Sequence, residues 1–396
     1  MLCLPSSQRH WELIDKPNKF MDNKPKENDE SRSYKGKSEK ADSKESAPKT
    51  PNDSPELDEV KDPYAELEAE LSEMMDSDTF SQTTSVESLD YSLDTPAIKK
   101  EDPNHVSGFV NIVGRPNVGK STLSNALVGE RLSVITSKAQ TTRHRILGIV
   151  NGDDFQMIFS DTPGIIHDPK YKLHEQMNRF VQSTFLDADV LLFLTEPGEK
   201  YPEDDPVLAK LNGMSQPLFC LINKIDRHPQ ERIEAAEEYW REKLPNARQR
   251  KISALEGTGV PELLASMKVL LPKHPPYFSK EMLTDRPERF FAAEIVREKI
   301  LLNYRQEIPY SVEVAIEEFK ESEDIIRMRA LIFANRNTQK SILIGKEGKA
   351  LKKVGIMARE DMEIFFGKKV YLELFVKVKE GWRDKDSDLR MFGYDG

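Results

Sequence analysis

Between residues 106 and 272, short apolar runs alternate with longer amphipathic stretches. The apolar runs are brief and nearly continuous, which is typical of strands buried inside a sheet. Strands are therefore predicted at 109–113, 155–160, 189–194 and 217–222. The amphipathic stretches predict helices at 122–128, 172–185, 206–214, 230–244 and 260–270. This alternation indicates an α/β domain with a mostly parallel sheet and helices on both faces.

A second, smaller unit follows a proline-rich linker. Pro272 ends the last helix, and Pro275 with Pro276 keeps the chain extended. Beyond the linker the pattern predicts a helix at 288–304 and strands at 310–318, 325–334 and 370–378. The first of these strands alternates most cleanly between apolar and polar positions. The predicted organisation is an α/β domain at 105–272, a linker at 273–285 and an α+β domain at 286–396.

The first hundred residues differ in composition from the rest of the chain. The formal net charge is −10, and residues 1–100 hold 14 Lys and Arg against 23 Asp and Glu, whereas residues 101–396 hold 44 against 45. Such a segment, with few aromatic or β-branched residues, cannot bury enough apolar surface to offset chain entropy. We expect a disordered acidic extension at 1–104, in which 65–75 is either a transient acidic helix or a partner-docking segment.

Composition also excludes several protein classes. The chain has two cysteines, of which Cys220 lies in a predicted core strand, and it has no apolar run of transmembrane length. The thiols are therefore expected to be reduced, and the compartment cytosolic. The acidic extension lacks the apolar core of a signal peptide and is too acidic for an organelle transit peptide.

Residues 114–121, Gly-Arg-Pro-Asn-Val-Gly-Lys-Ser, connect a predicted strand to a predicted helix. They fit the phosphate-binding loop of nucleoside triphosphatases, G-x-x-x-x-G-K-[ST]. The glycines let backbone N–H groups surround the β-phosphate, and the helix N-terminus adds partial positive charge. Lys120 is predicted to reach the β- and γ-phosphates, and Ser121 to bind Mg²⁺. The predicted nucleotide-binding residues here are Gly114, Arg115, Pro116, Asn117, Val118, Gly119, Lys120, Ser121 and Thr122.

A D-x-x-G box begins at Asp161, continues with Thr162 and Pro163, and ends at Gly164. A carboxylate at a strand end can hold Mg²⁺ through water, and the Gly164 N–H can bond a γ-phosphate. Because loss of that phosphate would release the loop, the box predicts a nucleotide-dependent switch. Ile165 stands where Ras-like proteins carry a glutamine that orients the attacking water, so slow hydrolysis is predicted.

An N-K-x-D box follows the predicted strand at 217–222, with Asn223, Lys224 and Asp226 as its defining residues. A carboxylate at 226 can accept hydrogen bonds from guanine N1–H and from the guanine 2-amino group, which adenine does not offer in that arrangement. Ser253 and Ala254 then supply a small turn against the base. Four boxes in this order at strand ends predict a GTP site and disfavour an ATP-using kinase.

The C-terminal unit contains a G-x-x-G loop at 345–348, preceded by apolar residues that predict a helix. In a KH domain such a loop and its two helices clamp about four nucleotides, because glycines let the backbone approach the phosphates. Residues 336–353 hold six basic residues and one acidic residue, Glu347, as a phosphate backbone requires. The predicted RNA-binding residues are Gly345, Lys346, Gly348, Lys349, Lys352 and Lys353.

Together these motifs resemble the Era family of ribosome-assembly GTPases. Residues 138–146, Lys-Ala-Gln-Thr-Thr-Arg-His-Arg-Ile, are the most specific part, and further matches lie at 285–290, 294–300, 309–312, 372–379 and 389–394. The resemblance spans about 106–394 and leaves out the acidic extension. By the family pattern either Thr142 or Thr141 contacts Mg²⁺ and the γ-phosphate. We favour Thr142, since a threonine directly before arginine recurs in related GTPases.

The resemblance implies a Ras-like P-loop domain followed by a small type II KH domain. It implies GTP or GDP with Mg²⁺ as cofactors, and 16S rRNA and the small ribosomal subunit as partners in 30S biogenesis. A monomer in the cytoplasm is expected, able to associate peripherally with the inner membrane. The predicted catalytic residues are Lys120, Thr142, Asp161 and Gly164, and the predicted metal ligands are Ser121, Thr142 and Asp161. A nucleotide-gated RNA-binding scaffold with negligible turnover is the open alternative.

Overall fold

The computed structural model describes residues 103–394, except residues 137 and 139. Within this range the first unit is built on a sheet of six strands. The strands are β1 (Val106–Val113), β2 (Ile146–Asn151), β3 (Phe155–Asp161), β4 (Val190–Thr195), β5 (Leu218–Ile222) and β6 (Arg248–Lys251). Their spatial order is β2-β3-β1-β4-β5-β6, and neighbours run parallel except for the antiparallel pair β2 and β3.

Helices cover both faces of this sheet. They are α1 (Lys120–Val128), α2 (Lys172–Leu186), α3 (Pro206–Asn212), α4 (Gln230–Lys243) and α5 (Val260–Lys268). On one face α1 and α5 bury Leu123 and Leu263 against the strands, and on the other α2 and α4 bury Phe185 and Trp240. The predicted mostly parallel α/β sheet is thereby confirmed. The nucleotide boxes follow the carboxyl ends of its strands, where ligands bind in such folds.

The second unit is a three-stranded sheet packed against helices. Its elements are α6 (Glu288–Asn303), β7 (Val312–Glu321), β8 (Ile325–Ala334), α7 (Asn337–Ile344), α8 (Lys349–Phe366), β9 (Lys369–Val378) and α9 (Asp386–Met391). β7 and β8 are antiparallel, whereas β8 and β9 are parallel. The fully buried Val354, Ala358 and Met362 recur every four residues along α8 and so form its core-facing stripe.

Four elements were not predicted from the sequence. β6 is wholly polar, with the sequence Arg-Gln-Arg-Lys, and forms because its backbone pairs with β5 at the sheet edge. β2 begins at the last residue of the 138–146 motif, and α8 directly follows the G-x-x-G loop, so the motifs mask the start of both elements. The short α9 was also missed. Predicted bounds elsewhere differ by a few residues; α3, for example, ends at Asn212, before Gly213.

The two units share buried contacts. Phe291 of α6 belongs to the apolar cluster on the α1 face of the first unit. Trp382 and Tyr394 pack with Met177 and Phe180 of α2. The C-terminal unit therefore lies directly against the nucleotide-binding unit. No helix in the described part of the chain is long and apolar enough to cross a membrane.

Candidate functional site

The phosphate-binding loop has the backbone that its glycines permit. Gly119 has a φ of 105° and immediately precedes α1. A Cβ atom at this position would lie 2.3 Å from Nδ2 of Asn223, so only glycine fits without displacing the neighbouring box. Asn223 in turn donates from Nδ2 to the Val118 carbonyl at 2.8 Å. The loop and the N-K-x-D box are thus packed as one structure.

Lys120 is buried inside the loop. Its Nζ donates to the Gly114 carbonyl at 3.1 Å and to the Arg115 carbonyl at 2.9 Å. Burial lowers the pKa of Lys120 to about 8, although the nearby Asp161 and Glu199 carboxylates act in the opposite direction. A nearby anion favours the charged form of a buried lysine whose pKa is lowered, and a nucleotide phosphate is such an anion.

Ser121, Thr142 and Asp161 converge beside Lys120. Oγ of Ser121 lies 2.7 Å from Oγ1 of Thr142, whose hydroxyl lies 3.5 Å from Oδ2 of Asp161. Burial raises the pKa of Asp161 above its usual range, while hydrogen bonds and Lys120 act against this shift. Oδ1 of Asp161 is buried and lacks a hydrogen-bond partner among the described residues. Two hydroxyls and a desolvated carboxylate are the oxygen ligands that suit Mg²⁺, so these residues fit the predicted metal.

The structure distinguishes the two candidate threonines. Oγ1 of Thr141 bonds to Oγ1 of Thr136 at 2.7 Å and donates to the Lys138 carbonyl at 2.6 Å. The Thr141 hydroxyl therefore forms its hydrogen bonds within its own loop, whereas the Thr142 hydroxyl bonds to Ser121. This placement favours Thr142 as the hydroxyl that meets a metal.

The N-K-x-D box is held by hydrogen bonds to Ser253 and Ala254 on a later loop. Oδ1 of Asp226 accepts a hydrogen bond from Oγ of Ser253 at 2.6 Å. Oδ1 of Asn223 accepts from the Ala254 N–H at 2.9 Å. Nζ of Lys224 donates to the Asn117 carbonyl at 2.7 Å and so ties the box to the phosphate loop. The carboxylate of Asp226 is therefore oriented by a neighbour before any base arrives.

A single cavity of about 390 Å³ joins these features. The predicted residues that line it are Pro116, Asn117, Gly119, Lys120, Ser121, Thr122, Thr142, Thr162, Gly164, Asn223, Lys224, Asp226 and Ala254. Predicted residues that are not part of its lining are Gly114, Arg115, Val118, Asp161, Pro163, Ile165 and Ser253. Thr141, the alternative candidate threonine, also lines the cavity, and the lining residues that the sequence did not single out are Val134, Ile135, Thr136, Gln140, Arg227 and Leu255. Several of these lie in or just before the 138–146 motif, which could have indicated them.

Gly164, which ends the D-x-x-G box, and the following Ile165 have different surroundings. A Cβ atom on Gly164 would lie 2.7 to 2.8 Å from Pro116, so glycine lets this loop lie on the phosphate loop. Ile165 instead packs against the apolar cluster that contains Val113 and Phe193. This apolar side chain is partly buried and carries no group that could orient a water molecule.

The G-x-x-G loop forms a tight turn between α7 and α8. Gly345 has a φ of 70°, and a Cβ atom there would lie 2.6 Å from Cβ of Ala350. Tyr304 donates from its hydroxyl to the Leu343 carbonyl at 2.6 Å and holds the preceding helix. The predicted lysines, Lys346, Lys349, Lys352 and Lys353, are all exposed. Glu347 is also exposed and pairs with Lys349 at 2.8 Å.

Comparison with known proteins supports both units. The model of the 50S ribosome-binding GTPase family matches residues 109–224, and the KH domain model matches residues 307–383. GTPase Era of Syntrophus aciditrophicus is 47% identical over 291 residues, which cover 73% of this chain and 95% of that protein.

Two solved structures resemble the chain closely. A variant of Aquifex aeolicus Era bound to GDP·AlF4⁻ has 39% identity and a TM-score of 0.70, covering 73% of this chain and 99% of that one. Era in complex with MgGDPNP and nucleotides 1506–1542 of 16S ribosomal RNA has 38% identity and a TM-score of 0.69, with the same coverage. The chain therefore belongs to the Era family, with a Ras-like P-loop GTPase domain followed by a C-terminal KH domain.

Proposed function

We propose that the protein is a GTP-binding and GTP-hydrolysing RNA chaperone. In this proposal it binds the 3′ region of 16S rRNA through its KH domain and assists assembly of the small ribosomal subunit. One observation carries most of the proposal: Ser121 and Thr142, which converge with the buried Asp161, line the same cavity as Asn223 and Asp226 of the guanine box, on a chain that also has a basic G-x-x-G loop.

The nucleotide would be held from both ends. Backbone N–H groups of the phosphate loop and the Lys120 ammonium would hold the phosphates, while Ser121 and Thr142 would bind Mg²⁺ directly and Asp161 through water. When bound, Mg²⁺ supplies positive charge against the γ-phosphate. Asp226, already oriented by Ser253, would accept from guanine and so select GTP and GDP over adenine nucleotides.

Thr142 and Gly164 would make the protein's conformation depend on the bound nucleotide. Thr142 and the Gly164 N–H would both contact the γ-phosphate end, so hydrolysis would release two loops at once. Because the Ile165 side chain is apolar and packs against an apolar cluster, it does not orient the attacking water, and hydrolysis is slow. Slow hydrolysis suits a protein whose nucleotide sets the duration of an RNA contact.

The RNA contact would be made by the KH domain. Its glycine turn and exposed lysines provide close backbone approach and positive charge. The relative solved with nucleotides 1506–1542 of 16S rRNA supports the choice of RNA. We also keep as predictions that the protein is a cytoplasmic monomer and that it associates peripherally with the membrane. The residue bounds of each domain are likewise predictions.

A scaffold with negligible turnover is the second candidate, and single-turnover hydrolysis distinguishes the two. GTP would be mixed with excess full-length protein, alone and with a 16S rRNA 3′ fragment, and with a scrambled RNA of equal length. We expect measurable hydrolysis that the cognate fragment changes and the scrambled RNA does not. The Lys352→Ala, Lys353→Ala double variant should keep basal hydrolysis and lose the RNA effect. Hydrolysis that no RNA alters would favour the scaffold.

A further inference from the structure

Thr142 lies between two residues that are bonded to the C-terminal unit. The carbonyl of Thr141 accepts a hydrogen bond from the guanidinium of Arg297 on α6. Arg143 donates to the Val312 carbonyl at 2.7 Å and to the Pro309 carbonyl at 3.2 Å. The backbone that presents Thr142 to Ser121 is therefore held on both sides by the KH domain.

Arg143 is fully buried, so its charge must be balanced inside the protein. It pairs with Oε2 of Glu313 at 3.0 Å. The same carboxylate oxygen accepts a hydrogen bond from the hydroxyl of Tyr394 at 2.8 Å. Glu313 and Tyr394 are themselves buried, with 4% and 0% of their surface exposed. The 138–146 motif, which holds Thr142, Arg143 and His144, is here called the switch segment. Residues from the switch segment, from β7 and from the C-terminal segment thus meet at one carboxylate.

Tyr394 also touches the switch segment directly. Its ring stacks on the His144 imidazole with centroids 4.2 Å apart and an angle of 17° between the planes. Burial lowers the pKa of His144 to about 3, so the imidazole is neutral near neutral pH. Burial, reinforced by Glu313, raises the pKa of Tyr394 well above its usual range, so the hydroxyl keeps the proton that it donates. This contact is therefore constant across physiological pH.

We propose that Tyr394 is a positioning residue for the GTPase centre. By holding Glu313 and stacking on His144, it fixes Arg143 and so presents Thr142 to the γ-phosphate end of the nucleotide. The inference rests on the proposed function, since it requires that Thr142 contacts bound GTP. GDP lacks the γ-phosphate, so Tyr394 should matter for GTP and not for GDP. Because coupling between sites is reciprocal, bound GTP should also stabilise the contact between the two units.

The test compares affinities of full-length variants for a non-hydrolysable GTP analogue and for GDP, both with Mg²⁺. Tyr394→Phe removes the hydroxyl and keeps the ring, so the fold is preserved. We expect at least about fivefold weaker binding of the GTP analogue, at the lower end of coupling between two sites, with GDP binding unchanged. Tyr394→Ala, which removes the stack as well, should lower the ratio of GTP to GDP affinity further.

The matched control is Phe392→Leu, in the same C-terminal segment. Phe392 packs on Phe333 and Trp382, with ring centroids 5.2 and 5.4 Å apart, whereas the rings that pack on His144 are those of Phe180, Phe290 and Tyr394. It should leave the affinity ratio at the wild-type value. If Tyr394→Phe shows the wild-type ratio, or weakens GTP and GDP equally, the inference is wrong. If the wild-type protein itself binds no guanine nucleotide, the proposed function fails instead.

Discussion

Replacing Asp226 with asparagine tests the guanine box most sharply. The Asp226 carboxylate is positioned by Oγ of Ser253 at 2.6 Å, and Asp226 lines the cavity. Guanine would donate to it from N1–H and from the 2-amino group. Asparagine presents an amino group in place of one acceptor, so one of these hydrogen bonds is lost and two donors face each other. Xanthine, which has a carbonyl at position 2, would accept from the new amino group.

The magnitude follows from hydrogen bonds to a charged group, each worth about 1.5–3 kcal/mol. Losing one or both should therefore weaken GTP binding about tenfold to 10⁴-fold, since each 1.4 kcal/mol is about tenfold. Equilibrium binding of fluorescent GTP and XTP to Asp226→Asn would measure the change. We expect GTP to lose affinity and XTP to gain it.

Asp226→Ala is the control for this exchange, because it removes the acceptor without adding a donor. It should weaken GTP binding without improving XTP binding. Unchanged GTP affinity in Asp226→Asn would refute the assignment of Asp226 to the base. Equal loss of both nucleotides would show that the substitution disturbs the loop rather than the recognition.

Three further outcomes are expected. Burial lowers the pKa of Lys120 to about 8, and a bound phosphate favours the charged form of this side chain. Nucleotide affinity should therefore fall as pH rises from about 7 to about 9, by up to about tenfold per pH unit above the pKa that Lys120 has without nucleotide. Titration calorimetry would measure this fall, and Lys120→Met should bind nucleotide weakly at every pH, with no such fall. Ile165→Ala should leave single-turnover GTP hydrolysis within about threefold, because the apolar Ile165 side chain cannot orient water; a collapse of hydrolysis at unchanged nucleotide affinity would give Ile165 a direct role. Glu347→Gln should strengthen RNA binding about twofold to fivefold at low salt, since it frees Lys349 and removes an anion from the loop; filter binding would show weaker binding if the carboxylate instead contacts a base.

The sequence predicted the parts of the site that depend on local backbone. The phosphate loop, the D-x-x-G box and the N-K-x-D box each combine a strand end with a turn, so their residue types and their neighbours along the chain reveal them. The structure brings them to one cavity because the strands are parallel. The fold class followed from the same alternation of strands and helices.

The sequence could not predict contacts between residues far apart in the chain. Nothing local at Arg143 indicates that it is buried against Glu313, or that Tyr394 completes the pair. β6 was missed for a related reason, since its polar side chains hide a strand that exists through pairing with β5. The pattern of apolar and polar residues indicates which face of a single helix or strand is buried. The Arg143 pair and β6 depend instead on which elements contact each other in the fold.

The central claim is that the nucleotide controls the RNA contact. The most direct measurement is the affinity of the full-length protein for a 16S rRNA 3′ fragment, with Mg²⁺ and either a non-hydrolysable GTP analogue or GDP. We predict binding at least about fivefold tighter with the GTP analogue, at the lower end of coupling between two sites. Equal affinity in the two nucleotide states, with both nucleotides shown to be bound, would contradict the account.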